Sequence, residues 1–236
     1  FVGSRVCEQL VRAGVEVTSV SRRGGPPPSA AGADWAARVN WVAADATDAK
    51  ALEPLLKGAD AAISAVGAIF GSGQEADRAN NAKPNVAAAA AAKRAGVPRY
   101  VYVSVSTQVG PAVSPLLGDG YFLGKADAEA AIGEAFGSAA SLVIKPSFIY
   151  GGTEFSANPP RVSEGYGRLV DAVLSSAPAR AVAGVSPGLV KLALSPPVSV
   201  DAVAAAAIAG AAGKASGAVD GKDEIEGAAA KVAPRA

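Results

Sequence analysis

Apolar runs rich in Val, Ile and Tyr recur along the chain at Val15 to Val20, Val39 to Ala44, Ala61 to Val66, Tyr100 to Val105 and Leu142 to Ile149. Helical stretches separate them. Their hydrophobicity is continuous rather than alternating, as a strand covered on both faces requires. Strands and helices in alternation imply right-handed crossovers between parallel strands. The chain therefore reads as an α/β protein built on a doubly wound parallel sheet.

The helical stretches carry their own signals. Val86 to Ala92 and Ala202 to Ala212 are Ala-rich, which gives strong helix propensity with little bulk and suits helices lying close against a sheet. Both are far shorter than the roughly 20 residues of a membrane helix. Gly14 and Gly96 stand where a left-handed residue closes a helix before a strand. Asp48 is placed to cap the helix bearing Ala51, Leu52, Leu55 and Leu56, whose spacing makes one apolar face. Gly24 to Gly32, with Pro26, Pro27 and Pro28, reads as a loop, as does Ser156 to Pro160. No internal repeat is visible. Residues 1–150 are expected to form the nucleotide-binding part, and residues 151–236 a smaller substrate region of the same structural unit.

Composition removes whole classes of chemistry. Lys and Arg number 22 against 21 Asp and Glu, so there is no basic surplus for a nucleic-acid backbone or an anionic bilayer. With no His, the chain cannot build a Ser-His-Asp triad or a His-ligated metal site, and no metal is expected. The lone Cys7 permits neither an internal disulfide nor a thiolate zinc cage. The sequence opens at Phe1 and contains no Met, so residues upstream are expected to be absent, any targeting peptide with them.

A doubly wound sheet turns from its first strand into its first helix through a GxxGxxG loop, whose glycines let backbone amides approach a pyrophosphate. Only the tail of such a loop is present, as Phe1-Val2-Gly3-Ser4 ahead of Val6, Leu10 and Val11. The first strand thus reads as missing, which would leave unpaired backbone on its two neighbours. The second strand ends in Ser21-Arg22-Arg23. An NAD site would place Asp or Glu there on the ribose 2′-hydroxyl, whereas Arg accommodates a 2′-phosphate. The arginines either favour NADP(H) over NAD(H) in this way or simply face solvent. Asp45, followed by Ala46, ends the third strand and either accepts from an adenine amino group or caps a turn. Ala65-Val66-Gly67 ends the fourth, where it either lets backbone lie along a coenzyme or merely terminates the strand.

Tyr121 and Lys125 form YxxxK, which on a helix puts phenol and ammonium on one face, one turn apart. The motif lies between the fifth and sixth strands, and Ser104 and Ser106 close the fifth. With these residues, Phe1-Val2-Gly3, Asn81 and Asn85, Tyr100-Val101-Tyr102-Val103-Ser104, Lys145-Pro146-Ser147-Phe148-Ile149-Tyr150-Gly151 and Pro197-Val198-Ser199-Val200-Asp201-Ala202-Val203, the sequence resembles the short-chain dehydrogenase/reductase superfamily in its extended or atypical branch. It is similar to plant and algal organellar NAD(P)-binding proteins related to the 39-kDa subunit of respiratory complex I.

The resemblance implies a Rossmann fold, and an organellar location, in chloroplast or mitochondrion. It implies Tyr121 as general acid/base, Lys125 as its electrostatic tuner and ribose ligand, and a coenzyme lying against Gly3, Ser21 to Arg23, Asp45, Ala46, Ala65 to Gly67, Pro146 and Ile149. Lowering a phenol from about 10 by about 3 units takes roughly 4 kcal/mol, which requires Lys125 close by and partly desolvated. Val105 stands where the family's hydroxyl is expected, so the relay is Ser104, Ser106 or absent. Lys145 replaces a frequent Arg. In the second half, Arg168 to Leu174 is amphipathic and either packs or faces lipid or a partner. No charge cluster is evident there, and the apolar stretch Val185 to Leu194 suits a lipophilic carbonyl or quinone. The alternative to an oxidoreductase is a non-catalytic nucleotide-binding subunit of a membrane-associated complex.

Overall fold

The computed structural model describes residues 1–69, 71–152, 156–157, 160–161, 163–185 and 188–232. The chain begins with α1 (Val2–Arg12), β1 (Val17–Ser21), β2 (Val39–Ala43), α2 (Ala49–Leu56), β3 (Ala62–Ser64) and α3 (Gln74–Arg94). It continues through β4 (Tyr100–Val103), α4 (Val109–Leu117), α5 (Gly120–Ala140), β5 (Ser141–Lys145) and β6 (Ile149–Tyr150). Then come β7 (Ser156–Ala157), β8 (Pro160–Arg161), α6 (Glu164–Leu174), α7 (Ala177–Val185), α8 (Gly188–Ala193), β9 (Val198–Ser199), α9 (Val200–Ala211), β10 (Gly217–Asp220) and α10 (Lys222–Ala229).

The main sheet is parallel, in the order β10-β5-β4-β3, and β1 pairs with β2 in a separate parallel ladder. β1 and β3 share no ladder. Helix α1 serves both sheets. Its Cys7 and Val11 join Trp35, Ala36 and Val39 on the β1–β2 side, while Val6 packs with Val101 and Val103.

Strand β4 shows why its apolar run is continuous: all four residues are buried. Val101 and Val103, with Leu142 and Ile144 of β5, face α9 and its Val203, Ala204 and Ala207. Tyr100, Tyr102 and Val143 face the other way, against Ala89 and Ala92 of α3 and Ala128 and Ile132 of α5. The alanines let α9 approach so closely that a Cβ at Gly210 would lie 2.7 Å from Leu142 Cδ2. Gly14 and Gly96 have φ of +79° and +78°, as helix-closing glycines do. Asp48 accepts from the amides of Lys50 and Ala51, capping α2.

Several elements differ from the sequence reading. The run Leu142 to Ile149 is two strands, because Pro146 has no N–H to extend a ladder. β5 stops at Lys145, and Ile149–Tyr150 pairs instead with Val198–Ser199. Val185 to Leu194 contains α8 rather than an open loop. Gly24 to Gly32 holds a short 3₁₀ turn over Pro28–Ala30. Within Ser156 to Pro160, the ends pair as β7 and β8, and residues 158 and 159 lie outside the described residues. Helix α4, β10 and α10 have no counterpart among the expected elements. β10 pairs with β5, so Gly217–Asp220 is an edge strand of the main sheet.

Candidate active site

Three polar side chains on one face of α3, at four-residue spacing, hold the loop after β3. Asp77 accepts from the amides of Gly71 and Ser72, both at 3.0 Å. Asn81 donates to the Ala68 carbonyl at 2.9 Å and accepts from its amide at 3.3 Å. Asn85 donates to the Val66 carbonyl at 3.2 Å and accepts from the Ser64 hydroxyl at 2.6 Å. All three are buried, so each would carry a desolvation cost without these partners. The resulting turn presents Ala65, Val66 and Gly67 to solvent at the carboxyl end of the sheet.

Helix α5 is brought to the same place by two glycines. A Cβ at Gly120 would stand 2.1 Å from the Gln74 carbonyl oxygen, and one at Gly124 would stand 2.4 Å from that of Arg78. Only a bare backbone at both positions permits this approach to α3. Lys125, 5% exposed, then reaches the crevice. Its ammonium donates to the carbonyls of Val103 at 3.3 Å and Val66 at 3.5 Å, the second a long contact. It also lies 5.0 Å from the centroid of the Tyr102 ring and 5.8 Å from that of Tyr121. Burial pushes Lys125 down to about 8, while the Glu129 carboxylate pulls in the opposite direction.

The structure thus brings Tyr121 and Lys125 together on one face of α5, with Val66 and Gly67 across from them. The phenol differs from what the resemblance implies. Burial pushes Tyr121 up to about 12, so its protonated form is favoured rather than the phenolate. Both serines hydrogen-bond to other groups. Ser104 donates to Glu129 Oε1 at 2.5 Å. Ser106 Oγ accepts from the Gln108 amide at 3.3 Å, and its own amide donates to the Pro146 carbonyl at 2.9 Å. Val105 does not supply a hydroxyl.

Among the other expected residues, Gly3 on α1 faces Ala65, a Cβ there coming within 4.0 Å of Ala65 Cβ. Arg22 and Arg23 are exposed at the end of β1, and Ser21 Oγ accepts from the Gly24 amide at 3.2 Å. Asp45 caps a turn: its Oδ1 accepts from the amide and hydroxyl of Thr47 at 2.9 and 2.8 Å. Those bonds, aided by Arg22, hold its carboxyl below the usual range. Ala46 is half-buried beside it. Pro146 is buried beneath the crevice, and Ile149 packs half-buried against the core. Sequence reasoning missed Glu129, although its four-residue offset from Lys125 was visible, and assigned no role to Tyr102.

A cleft of about 420 Å³ opens beside Ser106 and Ser147, lined also by Lys191 and Asp220. Its lining includes neither Tyr121 nor Lys125. Arg180, paired with Asp223, and Lys222, paired with Asp171, complete its charged wall. The second half of the chain therefore does assemble a charge cluster, contrary to the sequence reading, because its members come from α7, α8, β10 and α10. Asp220 Oδ2 accepts from the Thr107 amide at 3.1 Å, while Oδ1 is buried without a hydrogen-bond partner among the described residues. No group of metal-binding residues occurs among the described residues, nor any helix long and apolar enough to cross a membrane.

A family model described as NAD(P)H-binding matches residues 1–135. The chain belongs to this NAD(P)H-binding family. An uncharacterized chloroplastic protein of Arabidopsis thaliana is 35% identical over 213 residues, covering 88% of this chain and 67% of that protein. Two solved structures share the fold. The Bordetella bronchiseptica enzyme WbmG, in complex with NAD and UDP, is 19% identical with a TM-score of 0.53, covering 74% of this chain and 56% of that one. The UDP-N-acetylglucosamine 4-epimerase of Methanobrevibacter ruminantium M1, in complex with UDP-N-acetylmuramic acid, is 19% identical with a TM-score of 0.61, covering 93% and 71%. The family match and the shared fold of these enzymes bear out the NAD(P)-binding Rossmann fold expected from the sequence.

Nicotinamide dinucleotide is the coenzyme class of the family, and the crevice can be tested against it. Gly3 leaves the backbone of α1 open toward Ala65, the side chains of Ala65 and Val66 are exposed, and two guanidinium groups stand at the end of β1. These are the small side chains and cations that a dinucleotide's phosphates and ribose can approach. The residues present fit such a coenzyme.

Proposed function

We propose that this protein is an NADP(H)-dependent oxidoreductase acting on a small carbonyl compound, with Tyr121 as proton donor. The observation that carries the reading is the Lys125 ammonium, buried at the carboxyl ends of β3 and β4 with the Tyr121 ring 5.8 Å away. The nicotinamide, when bound, supplies the hydride. Tyr121, kept protonated by burial, holds the proton that a developing alkoxide requires. Two N–H groups of Lys125 face the Val66 and Val103 carbonyls, and an ammonium has a third to offer a ribose hydroxyl. Arg22 and Arg23 favour the 2′-phosphate.

The chloroplastic relative supports a chloroplast location. The test uses the full-length protein with NADPH and a panel of polar and lipophilic carbonyl compounds. Tyr121→Phe is expected to lower kcat by 100-fold or more, on the order of what a positioned acid contributes, with NADPH affinity unchanged within about threefold. Unchanged turnover in Tyr121→Phe, or no turnover of any carbonyl by a wild-type protein that binds NADPH, overturns the reading.

A further inference from the structure

Tyr121, Lys125 and Glu129 succeed one another on α5 at four-residue spacing, so they form one stripe. Glu129 is the member furthest along the helix, half-buried, and its two oxygens reach different strands. Oε1 accepts from the Ser104 hydroxyl, the first residue past β4, at 2.5 Å. Oε2 lies 2.6 Å from the ammonium of Lys145, the last residue of β5, and these two side chains keep only 24% and 15% of their exposure. A pair so sheltered pays heavily in desolvation and is a poor way to add stability. It does fix where α5 sits on the strand ends.

The same carboxylate stands one helical turn from Lys125. The titratable groups facing Lys125 are Glu129 and Tyr121 from α5 and Tyr102 from β4; α3 and the loop after β3 present the Asn81 amide and the Val66 carbonyl. Glu129 is the anion of this set: it is ion-paired with Lys145, and its charge also acts on Lys125, one helical turn away. We propose that Glu129 is a positioning residue of the active site: it docks α5 on the ends of β4 and β5 through Ser104 and Lys145, and its charge keeps Lys125 protonated in the crevice. Ser104 then belongs to this clamp rather than to a proton relay. The inference rests on the proposed function only for what Lys125 does when coenzyme is bound.

The action of one anion on both cations makes the test two-sided. In the full-length protein carrying lysine labelled with ¹³C at Cε, the Lys125 resonance is assigned by its loss in Lys125→Arg and titrated without coenzyme. Glu129→Gln is expected to lower the Lys125 midpoint by about one unit or more, because burial is then uncompensated. Lys145→Met is expected to raise it, because the carboxylate is no longer ion-paired, and Glu129→Asp is expected to restore most of the wild-type value. A clamp that is merely structural would lower the melting temperature and leave all midpoints in place. Midpoints unmoved in both Glu129→Gln and Lys145→Met overturn the proposal, and if Glu129→Gln does not fold, an unmoved Lys145→Met does so alone. Failure of the wild-type protein to bind NADPH or NADH would remove the oxidoreductase reading while leaving these midpoints to decide the role of Glu129.

Discussion

Gly67 lies directly against the ammonium of Lys125: a Cβ built on Gly67 would stand 2.9 Å from Nζ and 3.2 Å from Asn81 Oδ1. The glycine ends β3's loop at the one point where the lysine needs room, so the two residues are coupled by volume. Gly67→Ala is expected to displace the ammonium from the Val66 and Val103 carbonyls. Because the displaced atom is a side-chain end, the stability loss should stay below about 1.5 kcal/mol. Coenzyme affinity should fall at least about tenfold, which is about 1.4 kcal/mol. Parallel thermal melts and NADPH titrations check this, and unaltered affinity would show that Lys125 and Gly67 do not share the space.

The buried lysine also makes stability depend on pH in a definite direction. Its folded value of about 8 lies below its ordinary 10.5, so between these two limits the unfolded chain holds more protons than the folded one. Stability therefore rises with pH across that window, and the cost of burying the charge is fully present below it. Lys125→Met removes this contribution. The difference in unfolding free energy between wild type and Lys125→Met is expected to shift by about 2 kcal/mol toward the wild type from pH 7 to pH 10. Denaturant titrations at a series of pH values measure it, and a constant difference would contradict the burial of a charged ammonium.

Helix α5 depends on its glycines for its depth. At Gly124 the obstructing atom is the Arg78 carbonyl oxygen at 2.4 Å, part of the α3 backbone, so neither side can yield by rotating a side chain. Gly124→Ala is expected to cost about 1–3 kcal/mol as an overpacked contact, in spite of alanine's better helix propensity. At this chain length that lowers the melting temperature by about 2–4 °C for each kcal/mol. Gly133→Ala is the control: nothing lies within 4 Å of a Cβ there, and the substitution should be neutral or stabilising.

Which parts of this arrangement were legible in the sequence follows from how local their causes are. The strand at Tyr100 to Val103 announced itself because burial on both faces leaves a continuous apolar run, and the Asp48 cap and the glycines at 14 and 96 act within a single turn. β10 was illegible because Gly217–Asp220 is short and lies at the edge of the sheet, where only β5 shapes it. Tyr121 and Lys125 share one helix, so their spacing revealed them. The clamp of Ser104, Glu129 and Lys145 did not show, since its members lie on three elements that only the crossovers bring together. The charged cleft escaped for the same reason, its residues being scattered from Ser106 to Glu224.

The proposed preference for NADP(H) turns on Arg22 and Arg23, which stand exposed after β1, where the sequence runs Ser21-Arg22-Arg23 with no Asp or Glu to hold a ribose 2′-hydroxyl. Asp45, after β2, spends one oxygen on the Thr47 turn and is attracted to Arg22. A charge-assisted bond to a phosphate is worth about 1.5–3 kcal/mol, so replacing both arginines by alanine should lower the NADPH-to-NADH affinity ratio by tenfold or more. The loss should fall on NADPH, with NADH binding changed little, and should shrink as salt is raised, because exposed guanidinium groups are screened. Titrations of the double variant with both coenzymes at low and high salt decide it. An unchanged ratio would mean that the arginines face solvent and that the 2′ position is read elsewhere.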